Sequence, residues 1–206
     1  MQSPKIYAMR CAAWTDEEPP KLEWTDSRFR RRLSDLSKMT VEVVHNIMPI
    51  ACGTKMFFMS FNGEINYQYK INKMLLTDHE IMPAPFSISV FNSAPALASI
   101  ALNLKAGYTA IYPLCFKDGF LTAIAPLLCG EAEECLFVYA DESIPFEYKA
   151  ICNKPPEPLA FATLLSTNPV EKNRQIPSND IAVYQDGAPV NESILKSPQD
   201  FLKALT

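Results

Sequence analysis

The sequence predicts an α/β domain in which a largely parallel sheet is layered between helices. Short apolar runs, such as KMFFMSF at 55–61 and ECLFVYADE at 134–142, have the length and composition of strands that are buried on both faces. Segments with helical periodicity separate these runs, and such alternation is typical of a layered domain with parallel strands. With 48% hydrophobic and 20% charged residues, the 206-residue chain is sufficient for one good-sized core.

The N-terminal half is predicted to contain two strands and two helices. In order, these are a strand at 5–9, a helix at 27–48, a strand at 55–61 and a helix at 64–78. Apolar residues recur at helical spacing from Ser27 to Met48, and Pro49 ends that run. Asn62 and Gly63 turn the chain between the second strand and the second helix.

The C-terminal half continues the alternation. The predicted elements are a small-residue helix at 86–104, a strand at 108–114, a helix at 118–130, strands at 134–142, 160–166 and 180–185, and a terminal helix at 197–206. Pro95 lies near the start of the first helix or at a kink, and Gly130 ends the second. Ser197 is the expected N-cap of the terminal helix.

Charge and hydropathy exclude several classes of protein. A net charge of −4 argues against nucleic-acid binding, which requires a basic face. The basic run RFRRR at 28–32 is flanked by Asp26 and Asp35, which favours a solvated or interface-facing helix surface. No apolar segment approaches the ~20 residues of a membrane span, and the N-terminus lacks the apolar region of a signal peptide, so a cytoplasmic location is expected.

Cysteines and histidines are too dispersed for a metal site. The six cysteines form no CxxC pair, and in a reducing compartment they are expected to be free thiols that mostly fill the core. The two histidines, His45 and His79, have no cysteine or histidine at ligand spacing. We therefore predict no metal site and no cofactor.

Cys115 lies where the strand at 108–114 joins the following helix. Enzymes often place a nucleophile at such a joint, because the sharp turn exposes the side chain and the helix N-terminus favours an anion. Lys117 would stabilise a thiolate there and Asp118 would destabilise it, so the local charge favours neither form.

Four segments together carry a family resemblance: RRRLSDLSKMTVEV, FMSFNGE, PAPFSISVFNSAPALASIAL and FVYADE. In order and spacing, the chain from about Trp24 to Ser166 resembles the N-terminal half of β-ketoacyl-acyl-carrier-protein synthases. Among these it is most similar to the short synthase-like proteins of aryl polyene pigment clusters that are described as chain-length factors. The resemblance implies a thiolase-like half with a mixed, mostly parallel five-stranded sheet. We expect one domain over 1–206, in which 167–206 is a short C-terminal extension.

The resemblance also implies that the nucleophile is missing. Full synthases carry a pattern similar to C-x-S-G at the elbow, which in this chain is the joint between the strand at 108–114 and the following helix. The cysteine of the pattern lies three residues before the glycine. If Gly119 is that glycine, Phe116 occupies the nucleophile's position. If the alignment is shifted by one residue, Cys115 occupies that position, but the serine and glycine of the pattern are then missing. The family's two catalytic histidines lie in a C-terminal half for which this chain is too short, and His45 and His79 match neither of them.

The function implied by the resemblance is that of a chain-length-factor-like subunit. Such a protein pairs with an active, full-length β-ketoacyl synthase and shapes its acyl tunnel, and the complex binds acyl carrier protein. The residues expected to face the partner's tunnel are Phe61, Asn62, Gly63, Glu64 and Ile65. Those expected on the strand that pairs across the dimer axis are Tyr108, Ile111, Tyr112 and Leu114.

Two alternatives remain open on the sequence. In the first alternative to a chain-length-factor-like subunit, the chain is a condensing enzyme with Cys115 as the acyl acceptor. In the second, it is a synthase-like scaffold that docks acyl carrier protein. The residues do not decide between a homodimer and a heterodimer.

Overall fold

The structure is a computed structural model that describes residues 5–16, 18–150, 157–168, 174–176 and 194–206. The strands are β1 (Ile6–Trp14), β2 (Lys55–Met59), β3 (Tyr108–Ile111), β4 (Glu134–Asp141), β5 (Leu159–Ser166) and β6 (Arg174–Ile176). The helices are α1 (Ser27–Arg30), α2 (Asp35–His45), α3 (Ile65–Asp78), α4 (Pro83–Ile88), α5 (Ser93–Ala101), α6 (Phe116–Leu128), α7 (Phe146–Lys149) and α8 (Pro198–Leu205).

The described strands form one mixed sheet in the order β3-β2-β4-β5-β1-β6. Strand β2 runs parallel to β3 and β4, whereas the β4–β5, β5–β1 and β1–β6 pairs are antiparallel. The predicted α/β class with a mixed sheet is confirmed. The sheet differs from the prediction in two details, because the three-residue β6 makes a sixth strand and parallel pairs are in the minority. Strands buried on both faces have the same composition in either direction, so composition did not reveal the antiparallel half.

Helices cover both faces of the sheet and divide the core into two layers. Along β2, Phe57 and Met59 join the layer beneath α6 and α8, while Met56 and Phe58 join the layer beneath α2 and α5. This alternation follows from the two-residue period of a strand. Burial on both faces accounts for the nearly continuous apolar composition of β2 and β4.

Two predicted helices are each divided in the structure. The helix predicted at 27–48 is α1 followed by α2, because the Ser34 hydroxyl accepts a hydrogen bond from Ser37 N at 2.9 Å and caps a new helix. The helix predicted at 86–104 is α4 followed by α5. Pro95 lies in the first turn of α5, where the N–H that proline lacks would have no helical partner.

Strand β3 ends at Ile111, three residues before its predicted end. Ser60 N still donates to Ile111 O at 3.3 Å. In a parallel ladder the return bond to β2 would come from residue 113, and Pro113 has no N–H to donate. Tyr112 and Leu114 therefore lie in the connection that leads to α6.

The C-terminal residues contribute directly to the core. Ser197 caps α8 as predicted, accepting a hydrogen bond from Asp200 N at 3.1 Å. Phe201 on this helix is fully buried and packs 5.4 Å from the ring of Phe116. The strand predicted at 180–185 lies outside the described residues. Within the described ranges, no helix combines the length and apolarity required to cross a membrane.

Candidate functional site

The carboxyl ends of β2, β3 and β4 meet at one edge of the sheet because these three strands are parallel. The turn at 60–64 follows β2, the connection at 112–115 follows β3, and Asp141 and Glu142 lie at the end of β4. In open α/β sheets this edge is the usual position of a binding site. Both features that the sequence singled out, the turn and the elbow, are therefore on the same edge.

Cys115 is the N-cap residue of α6, and its side chain makes no capping hydrogen bond. Its thiol is exposed, so Cys115 is not one of the core-filling cysteines that the sequence predicted. The preceding Leu114 is 95% exposed. The strand ends before the elbow, and the connection therefore carries both side chains outward.

Phe116, the next residue, faces the opposite way and fills the core. It is 2% exposed, and its ring lies 6.0 Å from Tyr139 and 6.1 Å from Phe137. The position that the resemblance aligned with the nucleophile is thus occupied by a packed aromatic ring with no polar atom in its side chain.

Gly119 allows α6 to pack closely against β2. A Cβ atom at this position would overlap Met59 Sδ and lie 3.0 Å from Pro113 Cβ. Any larger residue would therefore push the helix away from the sheet, which explains why a glycine follows the elbow.

The turn after β2 is held by the carboxylate of Asp141. Asp141 accepts hydrogen bonds from Asn62 N at 2.9 Å, from Phe61 N at 3.1 Å and from Ser60 Oγ at 2.6 Å. Phe61 and Asn62 are half-buried, and Phe61 packs edge-on against Tyr139 with ring centroids 6.0 Å apart. A single carboxylate thus fixes the backbone at the start of the turn.

Gly63 closes the turn with φ of 56°. This left-handed conformation favours glycine, and an added Cβ would lie only 2.6 Å from the Phe91 ring. Gly63 N also donates to Ser60 Oγ at 2.7 Å. The turn therefore has little freedom at this position.

Glu64 is fully buried, although the sequence placed it among residues that face a partner's tunnel. Its Oε1 accepts hydrogen bonds from the hydroxyls of Ser34 at 2.7 Å, Ser37 at 3.0 Å and Ser93 at 3.0 Å. These serines lie at the N-termini of α2 and α5, while Glu64 is the N-cap residue of α3. Burial raises the pKa of Glu64, and the three serine hydrogen bonds oppose that rise. The side chain joins three helices and does not line a surface, whereas the adjacent Ile65 is half-buried.

Asp141 and Glu142 were not identified from the sequence. Burial raises the pKa of Glu142 to about 7, with a further rise from Glu64, while a hydrogen bond from Asn66 N at 3.2 Å opposes it. Burial also raises the pKa of Asp141. The signal in the sequence was two consecutive acidic residues directly after an apolar strand, an arrangement that places charges at a buried sheet end.

Strand β3 is at the edge of the described sheet and pairs only with β2. Ile111 is buried, whereas Tyr112 is 71% exposed and packs edge-on against Phe91. Tyr108 is half-buried, and its hydroxyl accepts a hydrogen bond from Asn92 Nδ2 at 3.3 Å. The predicted dimer-strand residues are therefore divided between a short edge strand and an exposed apolar connection.

The histidines are not at this edge of the sheet. His45 ends α2, and its ring stacks on Trp24 with centroids 3.8 Å apart. His79 is the left-handed residue that terminates α3, with φ of 56°. The described part of the chain contains no group of three or more potential ligands arranged to hold a metal ion.

Few of the described cysteines fill the core, so that expectation is wrong. Cys135 is buried, Cys11 is half-buried, and the exposed cysteines are Cys52, Cys115 and Cys129. Burial raises the pKa of Cys11 to about 11 and that of Cys135 to about 12, which makes both thiols poor nucleophiles. Cys152 lies outside the described residues.

Comparison with known proteins gives one family match. A family model described as "Beta-ketoacyl synthase, N-terminal domain" matches residues 6–203. No curated protein matches the chain.

Several solved structures share the fold. The ketosynthase (ApeO) in complex with its chain length factor (ApeC) from Xenorhabdus doucetiae matches with a TM-score of 0.65 and 20% identity, covering 80% of this chain and 79% of that one. The ishigamide ketosynthase/chain length factor matches with a TM-score of 0.54 and 14% identity, over 73% of this chain and 48% of that one. AntDE:AntF, an acyl-carrier protein in complex with its ketosynthase bound to the hexaketide, matches with a TM-score of 0.59 and 11% identity, over 80% and 63%. This chain thus spans about half the length of the ishigamide chain.

Proposed function

Because this chain belongs to the family of β-ketoacyl synthase N-terminal domains, we propose that it is a non-catalytic, chain-length-factor-like subunit. In this proposal it pairs with an active, full-length β-ketoacyl-acyl-carrier-protein synthase and shapes the acyl tunnel in aryl polyene biosynthesis. The assembled complex binds acyl carrier protein.

The observation that carries the proposal is that the elbow has a phenylalanine at the position aligned with the nucleophile and that the described residues place no histidine beside it. Phe116 is packed into the core at the position aligned with the nucleophile, and His45 stacks on Trp24 at the far end of α2. Condensation requires an activated thiol and groups that stabilise the developing carbanion, and the described residues bring no imidazole to Cys115. A subunit with this elbow would depend on a partner for the chemistry.

The surface around the edge strand β3 also supports the proposal of a protein partner. Among the described strands, β3 pairs only with β2, and an uncharged edge strand is prone to pair with another chain unless it is covered. Beside it, Tyr112 and Leu114 are exposed, and Ile100 on α5, a helix that contacts β3, adds a further exposed apolar side chain. A synthase seated here would cover this surface and continue the sheet.

The lengths of the matched chains also support the proposal. The match to the ApeO–ApeC complex covers nearly equal shares of both chains, so the matched chain is about as long as this one. A much longer chain, as in the ishigamide match, is covered only about halfway. Pairing of a short chain with a synthase is thus a reasonable arrangement for this protein.

Cys115 favours one alternative, in which the chain itself accepts an acyl group. The thiol is exposed at the N-terminus of a thirteen-residue helix, where an acyl thioester can reach it. This enzyme would form a covalent thioester on Cys115, which the non-catalytic subunit would not.

The tunnel assignment is tested by reducing the side chains that flank the turn. We expect Phe61→Ala and Ile65→Ala each to lengthen the product of the reconstituted synthase complex by one or two two-carbon units. The reason is that each unit needs about 2.5 Å of tunnel, and removal of a phenyl ring opens about that depth. Phe61 is half-buried, so the variant should lose less than the ~3–5 kcal/mol of a fully buried phenylalanine and should remain folded. Mass spectrometry of the polyenes gives their length.

Leu76→Ala is the matched control, because Leu76 is exposed on the same helix as Ile65 but at its opposite end. It should leave product length unchanged. A folded, assembled complex that makes product of wild-type length with both Phe61→Ala and Ile65→Ala would rule out this turn as the tunnel end.

A further inference from the structure

Asp141 uses both carboxylate oxygens to hold the turn after β2. Its Oδ1 accepts from Ser60 Oγ, Phe61 N and Asn62 N, and its Oδ2 accepts from Tyr139 OH at 2.5 Å and from Phe61 N at 3.2 Å. The side chain is 1% exposed. Two of the donors are backbone N–H groups that lie beyond the end of β2. The carboxylate therefore takes the place of a neighbouring strand for Phe61 and Asn62 of the turn.

The same network reaches the Phe61 ring. Tyr139 donates a hydrogen bond from its hydroxyl to Asp141 and packs its ring against Phe61. Tyr139 therefore connects the Asp141 carboxylate to the Phe61 ring. Ser60 donates to Asp141 and accepts from Gly63 N, which links the two ends of the turn. Backbone and ring at residue 61 are thus both fixed by the carboxylate and its partners.

We propose that Asp141 is a positioning residue for product length, which sets the position of Phe61 at the end of the partner's tunnel by holding the backbone of residues 60–62. This inference rests on the proposed function. Length selection then depends on the residues that form the tunnel wall and also on a buried side chain that touches neither the acyl chain nor the partner.

A carboxylate is suited to this position because it only accepts hydrogen bonds. All its partners here are donors, and an amide of the same shape would turn an NH₂ group toward either Tyr139 OH or the N–H groups of the turn. Asp141→Asn therefore changes hydrogen bonding with almost no change of volume. Tyr139→Phe removes one donor and keeps the ring that contacts Phe61.

The test compares product-length distributions from the reconstituted synthase complex. We expect Asp141→Asn to reduce the fraction of product at wild-type length by about half, with longer and shorter chains replacing it, because sites that select by fit tolerate displacements of only about 0.5 Å. Total turnover should remain within about two-fold, since the partner's catalytic groups are not touched. Tyr139→Phe should change the distribution in the same direction. Co-elution with the synthase and thermal unfolding establish that each variant assembles and folds.

Ser166→Ala is the matched control. Ser166 is also buried, and its hydroxyl donates to Glu133 O at 2.8 Å, but it pairs with Glu134 at the opposite end of β4. It should lose stability without altering the distribution. If it changes product length as Asp141→Asn does, the effect is general destabilisation and the inference is wrong.

The remaining outcomes separate this inference from the proposed function. If Phe61→Ala alters product length while an assembled Asp141→Asn complex does not, the inference is overturned and the tunnel assignment stands. If Phe61→Ala, Ile65→Ala and Asp141→Asn all leave product length unchanged in assembled complexes, the tunnel assignment itself fails. If Asp141→Asn does not fold, Tyr139→Phe decides, and an unchanged distribution from its assembled complex overturns the inference.

Discussion

Cys115 and Phe116 are adjacent in the chain and occupy opposite environments, one exposed and one packed among aromatic rings. The backbone of Cys115 is extended, and that of Phe116 begins a helix. The change of direction between them carries the thiol outward while the ring enters the core. Exposure alone does not make this thiol a nucleophile, because a nucleophile also needs a group that activates it.

For the thiol, we expect Cys115→Ala to leave product formation by the reconstituted complex within about three-fold of wild type, because no imidazole accompanies it to activate condensation. Intact-mass analysis after incubation with an acyl thioester should show no more adduct on the wild-type chain than on Cys115→Ala, beyond the small loss that Cys129→Ala also shows. Cys129 is likewise exposed, at the other end of α6, and reports nonspecific acylation. Loss of all product from an assembled Cys115→Ala complex would contradict the non-catalytic interpretation.

Strand β3 and the connection after it form the surface at which we place the synthase. Leu114 is almost wholly exposed, so Leu114→Lys should leave the isolated chain as stable as wild type. In the complex the same lysine would be buried without a partner, and we expect the affinity for the synthase to fall at least about tenfold, or about 1.4 kcal/mol. Sedimentation velocity of the mixed subunits measures this change.

Leu76→Lys provides the comparison, because Leu76 is 79% exposed near the end of α3. Its substitution should leave the affinity unchanged. Equal affinities for Leu114→Lys and wild type would place the partner on another surface.

The elements were predicted well in order and less well in extent. Periodicity identified α2 and α3, and apolar runs identified β2, β4 and β5, since these signals arise from burial of a face. Periodicity continued across Ser34, however, so only the cap hydrogen bond to Ser37 separated α1 from α2. The turn and elbow were located correctly, but the hydrogen-bonded roles of Glu64 and Asp141 depend on residues 27 to 81 positions away, which no local pattern reports.

Over the molecule as a whole, buried carboxylates give stability an unusual pH dependence. Burial raises the pKa of Glu142 from 4.5 to about 7, so between these values the folded chain retains a proton that the unfolded chain releases. The stabilisation is complete below about pH 4.5 and is lost as the pH rises through about 7. The raised pKa values of Glu64 and Asp141 act in the same direction.

We therefore expect the free energy of unfolding to fall by about 2.5 kcal/mol between about pH 5 and pH 8 through Glu142 alone. Glu142→Gln should remove that part of the fall, making the variant more stable than wild type at the higher pH. Urea unfolding at both pH values measures the difference. The exposed Glu131→Gln should behave as wild type, and a Glu142→Gln variant with an unaltered pH dependence would show that this carboxyl does not titrate as its burial implies.

The position of β1 in the sheet has a consequence for synthesis of the chain on the ribosome. Its register pairs Tyr7 with Ser166 and Trp14 with Ala160, and its other edge pairs with β6. Strand β1 is therefore made before its partners, which lie roughly 150 residues later and at 5–20 residues per second follow after roughly eight to thirty seconds. During that interval both edges of an apolar strand are open to other nascent chains. The yield of folded protein should therefore depend on whether residues 6–14 are covered until β5 leaves the ribosome. Holdase chaperones that bind extended segments are suited to cover them.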